Sequence, residues 1–258
     1  MHFIERLNHS KQGISHTLDY SISEIIKKGA SAMDFALPPG AISKFELYYD
    51  YLERSRHNFN LTSITGAADI VRLHFLDSIA IINAAGPAVM DSLSVIDVGS
   101  GAGFPGVPMK IAKPSIDLSL LDANGKRIAF LAKLCAALGI SAAFAHARAE
   151  EASHDPGMRE RFDVAVSRAV ARLNVLCELS LPYVRVGGRF LAMKSVDSED
   201  EIAEAGSAAN VLGAVLADTY DYLIPGTDIR HRVVILEKVS PTPDVYPRRF
   251  PRINKNPL

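Results

Sequence analysis

The chain has 258 residues, 48% hydrophobic and 22% charged, with 28 Lys and Arg against 29 Asp and Glu. That length suits one α/β domain with a small appendage and is short for two large domains. The apolar content excludes a mainly disordered chain, no apolar run approaches the ~18 residues of a membrane span, and the near-neutral balance gives no global sign of nucleic acid. The opening MHFIERLNHSKQG is charged throughout and has no apolar core of a secretory signal. With Cys135 and Cys177 as the two cysteines, the expectation is a cytoplasmic globular protein without a membrane partner.

In chain order, Ile14, Leu18, Ile22, Ile25 and Ile26 fall at helical spacing, with Gly29 after Lys27 and Lys28 as a stop. After a Leu-Pro-Pro-Gly break, a second helix should place Phe45, Tyr48, Tyr49 and Leu52 on one face. Its tyrosines are expected to serve the core rather than a base-stacking platform. A third helix is predicted over 67–84. From Leu93 the texture changes to short β runs alternating with helices. Strands are predicted over 94–98, 117–121 (ending at Asp122), 142–146, 162–167 and 188–194, and helices over 126–138 and 173–181. Two last strand runs, 216–224 and 230–238, are joined through Pro-Gly-Thr-Asp, a connection short enough only for antiparallel neighbours.

The predicted fold is therefore α/β, a Rossmann-like, doubly wound, mostly parallel sheet closed by a terminal antiparallel hairpin. It occupies residues 91–240, after an N-terminal helical segment over 1–90. Residues 241–258 form a basic, Pro-rich C-terminal arm that carries Arg248, Arg249, Arg252 and Lys255 against Asp244. Its prolines predict an extended course, not packed as helix. A solvated terminus and an arm that follows a phosphate backbone both fit that composition.

Asp97-Val98-Gly99-Ser100-Gly101-Ala102-Gly103 follows the first strand directly, and glycines suit a sharp turn where a ligand touches backbone. Two ligands compete. Gly101 to Gly106 fits the dinucleotide pattern GxGxxG, with Asp122 near the spacing of a ribose-binding acid. The same residues fit the D-x-G-x-G-x-G loop of S-adenosylmethionine methyltransferases, with Asp122 on the ribose hydroxyls and Asp97 ordering the loop or the methionyl ammonium. The terminal hairpin favours the methyltransferase. An NAD(P)-binding oxidoreductase is the alternative, and a non-catalytic RNA-binding module with the same fold is a second.

Further motifs occur in order: Asn60-Leu61-Thr62, His74-Phe75-Leu76-Asp77-Ser78, the run from Ile96 to Gly106, Gly125-Lys126-Arg127, Ser167-Arg168-Ala169 and Tyr246-Pro247-Arg248-Arg249. Together they resemble the small-subunit ribosomal RNA methyltransferase G family, also called glucose-inhibited division protein B. The resemblance implies a class I S-adenosylmethionine-dependent methyltransferase that modifies a guanine N7 in the 530 loop of 16S rRNA. It implies 16S rRNA or the small ribosomal subunit as partner, and a monomer is expected. By position it assigns Gly99, Phe104, Ala149, Glu150 and Arg168 to the cofactor, beside Asp97, Gly101, Gly103 and Asp122 of the loop. It brings forward Asn60, His74, Lys194, Arg248 and Arg249 as RNA contacts. The chain departs from the family at Leu73, where a basic residue is usual, at Ser195 in place of glycine, and at Phe250-Pro251 after the tail arginines.

Guanine N7 carries an in-plane lone pair and no proton, so attack on a sulfonium methyl needs alignment and no general base. Amine-methylating enzymes commonly place Asn/Asp-Pro-Pro-aromatic after the fourth strand; this chain has Ser167-Arg168-Ala169-Val170. Cys135 and Cys177 read as helical core residues rather than loop nucleophiles. Arg168, ending a central strand, should hold the cofactor carboxylate or an RNA phosphate, because pairing with O6/N7 would block the methylated atom. The histidines show no metal-ligand spacing, so no metal is expected.

Overall fold

Ser21 accepts the N–H of Glu24 while the Glu24 carboxylate takes the Ser21 N–H, a reciprocal cap that starts helix α1, Ile22–Ala32. The computed structural model describes residues 21–59, 64, 66–86, 90–168 and 170–258, so Ile14, Leu18 and Asn60 lie outside the described residues. Gly29 does not stop α1 as predicted, because the helix continues to Ala32. A Cβ at Gly29 would stand 2.1 Å from Leu76 Cδ1, so the glycine lets α1 close on the next helical layer. Helix α2, Ala41–Phe59, buries Phe45, Tyr48 and Leu52 and leaves Tyr49 half-buried.

The third predicted helix is a run of three pieces: α3, Ala67–Ile70, a π-helical stretch Val71–Leu76, and α4, Asp77–Ala85. The wider turn shifts the register that a regular helix would keep. His74, Phe75, Leu76, Asp77 and Ser78 are consequently all buried in succession, some toward the core and some toward the site described below.

The strands are β1 Ser94–Val98, β2 Asp117–Asp122, β3 Ala143–His146, β4 Phe162–Arg168, β5 Val184–Ser195, β6 Ala214–Leu223 and β7 Arg230–Lys238. They form one sheet in the order β3-β2-β1-β4-β5-β7-β6, with β7 antiparallel to both β5 and β6 and the other pairs parallel. Strand order reverses between β1 and β4, and a doubly wound sheet opens its crevice at the carboxyl ends of such strands.

Alternation along the strands divides the core. Val95, Leu191, Met193, Val233 and Ile235 face one side, where α1, α2, α4, α5 (Gly106–Ala112) and α6 (Gly125–Leu138) share their apolar cluster. Ile96, Phe190, Ala192, Val234 and Leu236 face the other, covered by α7 (Ala149–Ala152), α8 (Leu173–Ser180) and α9 (Glu199–Val211). Cys135 and Cys177 are buried on α6 and α8, and burial pushes their thiols up to about 11 and about 12, which keeps them unreactive near neutrality.

The C-terminal arm corrects the extended reading. Phe250–Lys255 forms helix α10, with Pro251 in its first turn, where a missing N–H breaks no helical bond. Ile253 is fully buried against Val175 and Leu179 of α8. Among the described residues, no helix is long and apolar enough to cross a membrane.

Candidate functional site

β1 delivers the glycine loop to the crevice, where a cavity of about 610 Å³ opens. Gly99, Ser100, Gly101, Ala102 and Phe104 form one wall. The loop is held from behind: Gly99 and Ser100 donate their N–H groups to Leu121 O at 2.9 and 3.0 Å, and Ser100 Oγ donates to Asp97 O at 2.9 Å. Asp122 ends β2 on the cavity floor. Its Oδ2 accepts the Gly101 N–H at 2.9 Å and its Oδ1 the Asn124 N–H at 2.8 Å. The Arg127 guanidinium reaches Oδ2 as well, at 3.5 Å, so Oδ1 is the oxygen that keeps a further lone pair for a ligand hydroxyl. A Cβ at Gly101 would meet no atom closer than 3.9 Å, so this loop position faces open space.

Asp97 and Gly103 stand behind the loop and do not line the cavity. A Cβ at Gly103, whose φ is +105°, would stand 2.6 Å from Tyr48 Oη, and that hydroxyl donates to Ala102 O at 2.6 Å. Asp97 Oδ2 accepts the Gly106 N–H at 2.9 Å, while its buried Oδ1 has no hydrogen-bond partner among the described residues. Burial pushes the Asp97 carboxyl up to about 7, against the opposing pull of the Gly106 N–H and of Arg168. In an unfolded chain this group titrates near its ordinary value of about 4. Between about pH 4 and 7 the folded protein therefore binds the extra proton, and stability falls as pH rises. Asp97→Asn keeps an acceptor for Gly106 and cannot ionise. Its urea midpoint should fall less between about pH 5 and about pH 8 than that of the wild type, and parallel pH profiles would deny the assignment.

Arg168, at the end of β4, joins the loop to the N-terminal helices. One guanidinium nitrogen donates to Asp77 Oδ2 at 3.1 Å and Leu73 O at 3.0 Å, and the other lies 2.9 Å from His74 Nδ1. Its Cζ sits 5.0 Å from the Phe104 ring centre, and the His74 ring stacks on the same ring at 4.4 Å. Burial, then the Arg168 charge, lowers the His74 imidazole to about 3, so at neutral pH Nδ1 accepts from Arg168. Asp77 is itself 1% exposed, and its Oδ1 accepts from Tyr222 Oη at 2.6 Å and His231 Nδ1 at 2.7 Å. A second cavity, about 490 Å³, lies on the far side of this cluster, lined by Leu73, Asp77, Met193, Lys194, Ile229 and His231 among others; His74 and Arg168 border both cavities.

Of the residues read as cofactor contacts, the structure brings Gly99, Gly101, Phe104, Asp122, Ala149, Glu150 and Arg168 to the first cavity. Those read as RNA contacts keep different company. His74 is buried against Phe104. Lys194 donates to Glu201 Oε1 and Ala171 O, both at 2.8 Å. Arg248 pairs with the fully buried Glu178 at 2.6 Å, while Arg249 is exposed. Sequence reading gave no role to Asp77, Tyr222, His231 or Phe250; of these, Asp77 alone lay inside a quoted motif. Among the described residues, no group of His, Cys, Asp and Glu side chains could hold a metal ion.

Residues 41–222 match the family model for rRNA small subunit methyltransferase G, GidB. A protein named Ribosomal RNA small subunit methyltransferase G from Alkaliphilus oremlandii is 39% identical over 238 residues, 92% of this chain and 99% of its own. The protein of that name from Clostridium kluyveri is 42% identical over 217 residues, 84% and 90% of the two chains. A crystal structure from Pyrococcus horikoshii, put forward as that of an RNA methyltransferase, covers 76% of this chain and 96% of its own at TM-score 0.50 and 9% identity, a likeness of fold.

Proposed function

The chain belongs to the rRNA small subunit methyltransferase G family and has the class I methyltransferase fold, and from that premise we propose that it methylates N7 of a guanine in the 530 loop of 16S rRNA, using S-adenosylmethionine. The observation that carries this reading is the pair of cavities that meet at His74 and Arg168. One has a glycine turn and a strand-end acid suited to a nucleoside, and the other opens beside it for an acceptor base.

The residues present fit the cofactor. The open face of Gly101 leaves room for a ligand against backbone, and the further lone pair on Asp122 Oδ1 suits a ribose hydroxyl. When bound, S-adenosylmethionine supplies an electrophilic methyl on a sulfonium centre. The glycine loop and Asp122 would hold the nucleoside, and Ala149 and Glu150 would border the adenine. Arg168, with three protein acceptors already around it, would fix the partition between cofactor and base. Removing water and holding N7 in line then suffice, since no proton has to leave the attacking nitrogen. A neutral His74 fits that chemistry, because the site calls for a wall and not a base. The same reading makes the protein a cytoplasmic monomer that works on 16S rRNA or the small subunit without a metal.

The test uses 16S rRNA and small subunits from cells lacking this protein, each incubated with S-adenosylmethionine labelled in its methyl group. Borohydride–aniline cleavage, which breaks RNA at N7-methylguanine, should give one new cut in the 530 loop. Label without a cut would move the acceptor to another atom. No label on either substrate, with NAD binding that S-adenosylhomocysteine does not displace, would return the loop to a dinucleotide.

A further inference from the structure

A side chain as polar and as completely buried as Glu178 needs hydrogen-bond partners, and on α8 these come from the C-terminal segment. The Arg248 N–H and Nε both donate to Glu178 Oε1 at 2.8 Å, and a terminal guanidinium nitrogen donates to Oε2 at 2.6 Å. The chain before it is pinned as well. The Arg159 guanidinium donates to the carbonyls of Thr242 at 2.8 Å, Pro243 at 3.2 Å and Tyr246 at 3.0 Å, and His154 Nε2 lies 3.1 Å from Pro247 O. Five residues after Arg248, Ile253 is fully buried on Val175 and Leu179. A segment anchored at both ends in this way cannot swing as a free arm.

Phe250 lies between those two anchors. It packs against the cluster of Val175, Leu179 and Ile253, and with Leu179, Ala149 and Glu150 it lines the cofactor cavity. A neighbouring cavity of about 790 Å³ includes Glu151 and Pro251, and Arg148, Glu150 and Phe250 border both cavities. In a doubly wound sheet a ligand lies across the carboxyl ends of the strands, and β3 is the strand beside β2, so a nucleoside held by its ribose at Asp122 has the end of β3 next to it. The residues following β3 here are Ala147 to Glu150, all on the cavity wall beside Phe250.

We propose that the C-terminal segment is part of the cofactor site, with Phe250 closing the adenine end of the cavity and the Arg248–Glu178 pair holding it in place. The inference rests on the S-adenosylmethionine reading above and adds to it a residue that lies outside the glycine loop and the strand-end acid. An aromatic face beside a purine contributes stacking that an aliphatic chain does not supply. Of the segment's exposed cations, Arg249 borders the neighbouring cavity with Arg148, and neither it nor Arg252 or Lys255 is needed for this role.

Calorimetric titration of the full chain with S-adenosylhomocysteine and with adenosine tests the proposal. Phe250→Ala should weaken both ligands by about tenfold, the effect of losing one base–aromatic stack. The KM for RNA at saturating cofactor should stay within about twofold, since the ring faces the cofactor. Phe250→Tyr, which keeps the ring, should bind as the wild type does. Phe250→Leu guards against a folding defect: it keeps apolar bulk on Leu179 and should still lose several-fold affinity at an unchanged melting temperature. Unaltered affinity for both ligands in Phe250→Ala would overturn the proposal, as would a raised KM for RNA in place of a weakened cofactor. A wild type with no affinity for S-adenosylhomocysteine would instead bring down the cofactor reading itself, and this inference with it.

Discussion

Replacing Asp77 with alanine should destabilise the protein by about 3–5 kcal/mol, the cost of removing one partner from a buried ion pair. Asp77 is 1% exposed and accepts from three elements at once: Arg168 on β4, Tyr222 on β6 and His231 on β7. Alanine leaves the Arg168 guanidinium, whose side chain is only 15% exposed, with Leu73 O and His74 but no ion-pair partner among the described residues. It also leaves the buried Tyr222 hydroxyl without its acceptor, a further penalty of about 1–3 kcal/mol that overlaps the first. Burial, the largest cause of the raised Tyr222 phenol, persists in the variant, so the hydroxyl remains a donor and does not relieve the loss by ionising. Asp77→Asn should lie between, since an amide has one carbonyl oxygen for the donors that now share two carboxylate oxygens. Urea unfolding of both variants, with midpoints compared at an unchanged slope, measures this directly. A loss below about 1 kcal/mol would mean the cluster behaves as a surface ion pair does, and the junction between helices and sheet would need another explanation.

That junction marks the limit of what was legible in the chain. The parallel strands were readable because Val95 and Ile96, or Leu191 and Ala192, send alternate side chains to the two faces, and the Pro-Gly-Thr-Asp turn leaves its strands no parallel option. Helix α9 leaves no clear apolar period in the sequence, because its buried face is Ala205, Ala208 and Ala209. Gly29 and Pro251 misled for one reason: each is a breaker by local rule, yet one makes room for Leu76 and the other fills a first helical turn. In the site, the glycine loop and Asp122 carry their signature within a few residues, so their meeting at a cavity could be anticipated. The Asp77 cluster joins residues 91 and 154 positions apart, and no local pattern records such contacts. Phe250 stood in the sequence as a departure from the family's tail, a signal whose use becomes visible only once Ile253 and Glu178 fix where the tail lies.

Arg168→Lys should reduce methyl transfer about 100-fold while S-adenosylhomocysteine affinity stays within a few-fold, because the guanidinium positions a wall and does not exchange protons. Arginine's planar fork reaches Asp77, Leu73 O and His74 Nδ1 together and lies over Phe104. A lysine ammonium can remain near Asp77, which limits the loss of stability, but it cannot meet the other acceptors in the same geometry. His74 and Phe104 would then lose the contact that sets their place between the two cavities, and a displacement of about 1 Å is enough for a rate loss of that size. The loss should therefore fall on kcat, with the KM values for RNA and cofactor little changed. Arg168→Ala goes further, since it removes the charge as well. Transfer should drop to background, and the His74 imidazole should titrate at a higher pH than in the wild type, because Arg168 is the second cause of its low value after burial. NMR titration of His74 reads that change independently of activity. If Arg168→Ala turned over near normally while His74 shifted, the guanidinium would be a structural tie between helices and sheet with no part in aligning the acceptor.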